Sequence, residues 1–210
     1  MANHKTHQQG AILAGIIGSV AALALNMVNL QQGIIIFIAG YTGGMAPDLD
    51  HDQGKSLRFI FKLMTLIIPI AVIWKFPMLH SSMLTAVIYF AGFALLIYFP
   101  IRFIFRKLTV HRGIFHSIPA IIIYGSIFFL VVGKKQHDLP FQQAAGIVAG
   151  LGYFTHLALD EYSSLNFNGQ RFKPKRSLGT ALDFLKPNRS VTALAYLLMS
   201  YLLFMVFQQL

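Results

Sequence analysis

The sequence predicts an all-α, polytopic helical membrane protein with about seven transmembrane segments, one of them half-length. Three observations carry that expectation. The chain is 56% hydrophobic and only 11% charged, where a soluble domain averages about 25% charged residues. Its mean hydropathy is +0.62. Apolar runs recur near 11–30, 32–46, 59–78, 83–101, 114–133, 143–162 and 190–208, and most approach the roughly 20 residues that a spanning helix requires. Together these leave no room for a separate soluble domain, so residues 1–210 read as a single transmembrane domain.

The first run follows a short polar start with Lys5 and is too long for the apolar core of a signal peptide, so it reads as an uncleaved helix. The second is the weakest. Gly40, Gly43 and Gly44 either shorten it into a re-entrant segment or serve close helix packing in lipid. The remaining five need no such qualification, and no internal repeat relates them.

The basic residues orient the helices. With the N-terminus in the cytoplasm, Lys5, Lys55, Arg58, Lys62, Arg102, Arg106, Lys107 and Arg112 fall inside. So do Arg171, Lys173, Lys175, Arg176, Lys186 and Arg189. Only Lys75, Lys134 and Lys135 of the 17 lysines and arginines fall outside, which favours seven helices with the C-terminus outside. The net charge of +10 then reflects loops facing anionic lipid. No nucleic-acid partner is expected, because no binding motif accompanies the charge. The absence of cysteine excludes disulfides and thiolate ligands.

Against this apolar background stand four polar clusters: His7; Asp48, Asp50 and His51 in PDLDH; His111 and His116 in HRGIFHS; and His156 and Asp160 in HLALD. Histidine and aspartate are common ligands of divalent metals, and placing them beside hydrocarbon is costly without compensation. The seven-helix topology puts all four clusters at the cytoplasmic boundary. His7 precedes helix one, PDLDH leaves helix two, HRGIFHS opens helix five and HLALD leaves helix six.

His156 and Asp160 are four residues apart and share a helical face; a hydrogen-bonded pair at a helix end has the same spacing. Asp48, Asp50 and His51 crowd three donors into four residues after Pro47, although a capping turn uses the same residue types. Asp52 reads as solvated. His111 and His116 converge only if His111 lies before the first helical turn. Arg112 between them suits bidentate capture of phosphate or carboxylate, and equally a lipid headgroup. Ser117 is either a supporting hydrogen-bond partner or a helix-start hydroxyl. His4, His80 and His137 read as bystanders, and Trp74, Tyr89 and Tyr98 as interfacial or packing aromatics.

THQQG at 6–10, MAPDLDH at 45–51, HRGIFHS at 111–117 and GYFTHLALD at 152–160 resemble, in order and spacing, the LexA-regulated, membrane-bound metal-dependent hydrolases (YdjM-like). The resemblance covers about residues 6–186, including the basic stretch QRFKPKRSLGTALDF. It implies metal-site roles for His7, Asp48, Asp50, His51, His111, His116, His156 and Asp160, with Arg112 beside them. Phe115 stands where Thr is common in that family, and the Pro-containing turn often seen after the HxxxD aspartate is missing.

The expected function is metal-dependent hydrolysis at the cytoplasmic face of a bacterial inner membrane. Phosphoester lipids or lipid-linked metabolites are the natural substrates of a site at that depth, and an amide-linked lipid is open to the same machinery. Asp48, Arg112 and Asp160 are the catalytic candidates, either aspartate serving as general base if it is not a ligand. Zinc suits a His/Asp set without cysteine, as do manganese and iron, with one or two ions. Two rivals stand beside this reading. A divalent-metal transporter needs ligands near the bilayer midplane and a polar path across, and helices three, four and seven offer no acidic residue or histidine within their spans. A structural metal needs a closed ligand shell.

Overall fold

The computed structural model describes residues 3–50, 61–62, 64–66, 68–70, 72–73, 76–103, 113–133, 139–167, 172–174, 179–185 and 187–210. His51, Asp52, Trp74, His111, Arg112 and His137 lie outside the described residues, as do Lys55, Arg58, Lys75, Arg106, Lys107, Lys134, Lys135, Arg171, Lys175, Arg176 and Lys186. The chain divides into two compact units: residues 1–47 with 112–210, and residues 48–111.

In the first unit, helix α1 runs His4–Ala24. It begins seven residues before the apolar run because Asn3 caps it: the Asn3 side chain accepts from the Thr6 amide at 2.8 Å and from the Thr6 hydroxyl at 2.9 Å. His7, expected before the helix, is therefore inside its first turns. The run also ends earlier than its composition suggested. Asn26 takes a positive φ of 54°, and Asn29 opens α2 (Leu30–Met45) with a reciprocal capping box to Gln32. Cap chemistry overrode hydropathy at both ends.

Helix α2 has 16 residues, about 24 Å at 1.5 Å per residue, short of the roughly 30 Å hydrocarbon core. Its glycines are packing residues. A Cβ on Gly43 would strike the Ala149 carbonyl, and one on Gly152 the carbonyl of Gly40. Only hydrogen fits where these backbones meet, as expected where lipid supplies no hydrophobic drive for helix association. Ser19 adds a buried hydrogen bond, its hydroxyl donating to the Gly33 carbonyl at 2.8 Å.

Helix α4 (Ile118–Val132) begins four residues later than its apolar run, because Pro119 favours a first turn and residues 113–117 form a turn of their own. Within that turn the His116 amide donates to the Gly113 carbonyl at 3.1 Å. Helix α5 (Leu139–Ser164) packs between α1, α2 and α4 and is the central element of this unit. A three-residue antiparallel hairpin follows, β1 (Leu165–Phe167) with β2 (Phe172–Pro174), Asn166 facing Lys173. Asn188 caps the last helix, α6 (Arg189–Phe207), which packs on α4.

The second unit holds the short 3-10 turns Pro47–Asp50 and Pro77–His80, helical residues between 61 and 73, and α3 (Met83–Leu96). α3 continues into a π-helical turn at Ile97–Ile101 that carries Pro100. Phe61 and Ile97 form its buried cluster. Arg102 lies over the Tyr98 ring, 5.1 Å from its centroid.

Among the described residues, three helices are long and apolar enough to cross a bilayer: His4–Ala24, Met83–Ile101 and Arg189–Phe207. Leu13, Ile17, Val87, Leu194 and Leu197 on these helices are more than half exposed. Apolar surface on that scale is solvated by hydrocarbon, not water. The architecture is that of a helical membrane protein.

Candidate metal centre

His7, His116, His156 and Asp160 come together in the first unit, and each is at most 2% exposed. Three separate chain segments supply them. The Asn3 cap sets α1 in register to deliver His7. The turn closed before Pro119 presents His116. The i, i+4 spacing on α5 places His156 one turn before Asp160, and the helix runs past both to Ser164, two residues beyond the apolar run.

Asp160 is the hub. Its Oδ1 lies 3.1 Å from His7 Nε2 and its Oδ2 lies 3.5 Å from His116 Nε2. The rings of His7 and His156 stack at 3.7 Å between centroids, 9° from parallel. His116 stands edge-on to His156 at 5.9 Å.

The orientation of His156 is fixed from α2. Its Nδ1 lies 2.7 Å from the Gly44 carbonyl oxygen, and since a carbonyl only accepts, Nδ1 carries the hydrogen. In the neutral ring Nε2 then holds the lone pair, the arrangement common to metal-binding histidines whose other N–H bonds a backbone carbonyl. Gly44 reaches that position because it has no side chain: a Cβ there would lie 2.5 Å from the Ala11 Cβ.

The donor set fits a divalent ion. His7, His156 and Asp160 each offer one ligand atom, all within 4.8 Å of one another. Ligand atoms about 2.1 Å from a tetrahedral ion lie about 3.4 Å from one another, so the three side chains, already within 4.8 Å, close on an ion by drawing inward. His7 Nδ1 is buried and has no hydrogen-bond partner among the described residues, a costly state for a polar atom unless a ligand is to satisfy it.

The other expected site residues fall differently. Asp48 and Asp50 lie in the 3-10 turn Pro47–Asp50 that leaves α2 and belong to the second unit. His51, His111 and Arg112 lie outside the described residues. Ser117 precedes α4, but its hydroxyl donates back to the Ile114 carbonyl at 2.5 Å and makes no cap.

Three contributors were not read from the sequence. The Gly44 carbonyl sets the His156 tautomer. The Tyr153 hydroxyl donates to the Phe115 carbonyl at 2.7 Å, tying the His116 turn to α5. The Glu161 carboxylate accepts from the Gly179 amide at 2.9 Å and the Ala181 amide at 3.0 Å. The same strap reaches α4, where the Ile118 amide donates to the Asp183 carbonyl at 3.1 Å. Glu161 directly follows Asp160 in the chain, and that adjacency was its one legible signal.

No curated protein and no solved structure matches the chain. The family model described as "YdjM inner membrane protein" matches residues 1–209, nearly the whole length, and the described helices carry the surface that such a location requires. The chain belongs to the YdjM inner membrane protein family.

Proposed function

We propose that this protein is a membrane-bound, metal-dependent hydrolase of phosphoester lipids or lipid-linked substrates, acting at the cytoplasmic face of the inner membrane. The observation that carries the reading is the buried cluster of His7, His156 and Asp160, with the His156 tautomer set by Gly44. Histidine and carboxylate beside hydrocarbon are costly to bury unless they are paired or bind a cation, and a cation would join all three side chains at one point.

His7, His156 and Asp160 would hold the ion, with His116 reaching it across the Asp160 carboxylate. Zinc suits this donor set best, manganese and iron being alternatives. A bound ion would supply Lewis acidity and an activated water near neutral pH. Asp48 or Asp160 would serve as general base, whichever of the two is not a ligand. Arg112, four residues before His116, would grip an anionic group through its planar fork. Asp50, His51 and His111 are the remaining ligand candidates for a second ion. Seven spanning helices, with the N-terminus inside and the C-terminus outside, accommodate this face.

One observation favours a second reading, in which a structural metal staples α1 to α5: the ligands are almost wholly buried. The test is metal content of detergent-purified protein, comparing wild type with His156→Ala and His116→Ala, followed by phospholipid turnover. One or two equivalents of metal, lost in both variants while the fold persists, together with turnover that needs the metal, supports the hydrolase. Metal without turnover favours the staple, and no metal even after reconstitution sinks both.

A further inference from the structure

An elongated apolar groove of about 590 Å³ lies on the first unit between α4 and α5. Its floor is bare backbone. Gly125 and Gly146 bring the two helices so close that a Cβ on Gly146 would lie 3.0 Å from the Gly125 carbonyl oxygen. Ile121, Leu151 and Phe154 form part of its walls, and Val206 and Leu210 flank it from the end of the chain. Among the described residues lining it, only Ser126 and Gln143 have polar side chains.

Two features identify the occupant. On α5 the lining runs from Gln143 to Phe154, roughly 16 Å at 1.5 Å per residue, which is the shape of a chain and not of a ring. Ile147 and Leu151 on its rim are more than half exposed, so the groove opens where hydrocarbon solvates the protein. Phe154 and His156 are two residues apart on α5, about 200° of rotation at 3.6 residues per turn, so the groove occupies the lipid-facing side of α5 and His156 its buried side.

Gly150 distinguishes this groove from ordinary helix packing. A Cβ there would meet only Ile121, at 3.7 Å from its Cγ2 and 3.8 Å from its carbonyl oxygen, both ordinary contacts. Helix approach does not demand glycine at this position, as it does at Gly125, Gly146 and Gly152. What a side chain at 150 would cost is the open trough.

We propose that the α4/α5 groove is an acyl-chain site, which holds one hydrocarbon tail of a membrane lipid. The proposal goes beyond the hydrolase reading and does not rest on it, because holding a lipid tail needs no chemistry.

The experiment uses full-length protein in vesicles containing a phospholipid with a diazirine on one acyl chain. Photolabelled peptides are mapped in wild type, Gly150→Leu, Ile147→Trp and, as a control, Gly92→Leu on α3, where nothing lies within 4 Å. The expected result is labelling of residues 118–132 and 143–154 at least fivefold above the outer face of α6. It falls at least fivefold in Gly150→Leu and Ile147→Trp and is unchanged in Gly92→Leu, with metal content constant throughout. Labelling spread evenly over the exposed helices, or undiminished in a folded groove variant, overturns the proposal. Groove labelling in a protein that turns over no lipid sustains the acyl site and removes the hydrolase reading instead.

Discussion

His7 Nε2 and Asp160 Oδ1 lie 3.1 Å apart, joining the first turns of α1 to the last turns of α5. Both residues are buried. Asp160 is thus not simply the i+4 partner of His156 but the point at which three segments meet. Replacing it by Asn keeps the shape and removes the charge. Asp160→Asn is expected to weaken metal affinity at least tenfold, within the roughly 10–100-fold cost of losing a supporting group around a site. Competition with a graded series of chelators measures this, and unchanged affinity would remove Asp160 from the ligand set.

Gly44 has two duties, close approach to α1 and orientation of His156. In Gly44→Ala the new Cβ would lie 2.5 Å from the Ala11 Cβ and 2.8 Å from its Cα. Overpacking of this kind costs about 1–3 kcal/mol. Thermal unfolding in detergent should show the loss, with metal content falling alongside it. Gly92→Ala, in open space on α3, should be neutral or stabilising by up to about 1 kcal/mol.

Glu161 holds the strap at residues 179–181 through both carboxylate oxygens. Glu161→Ala should speed amide exchange at Gly179 and Ala181 about tenfold, corresponding to about 1.4 kcal/mol, near the low end for bonds to a charged acceptor. Hydrogen exchange followed by mass spectrometry reads this directly. Protection that survives the substitution would show that the strap is held by other contacts.

Arg112 tests the substrate half of the reading independently of the metal half. Arg112→Lys keeps the charge and loses the bidentate fork. The expected outcome is full metal content with KM for an anionic lipid raised about tenfold, or about 1.4 kcal/mol of ground-state binding. Equal KM in the two proteins would assign Arg112 to the lipid headgroups around the protein.

By itself the sequence determined the class of the molecule and the chemistry of its polar residues. Hydropathy is a local property summed along the chain, so the apolar runs were legible, and histidine and aspartate beside them marked a candidate metal site. The HxxxD spacing placed His156 and Asp160 on one face because helical periodicity is local as well. Tertiary structure decided the rest. Caps at Asn3 and Asn29 moved the helix boundaries by several residues and brought His7 into α1. The His156 tautomer depends on a carbonyl of α2, remote in sequence, and the hold of Glu161 depends on amides beyond the hairpin. Whether a glycine packs a helix, as Gly43 does, or keeps a groove open, as we propose for Gly150, depends on what lies opposite it. That neighbour comes from another helix, and no pattern within one segment encodes it.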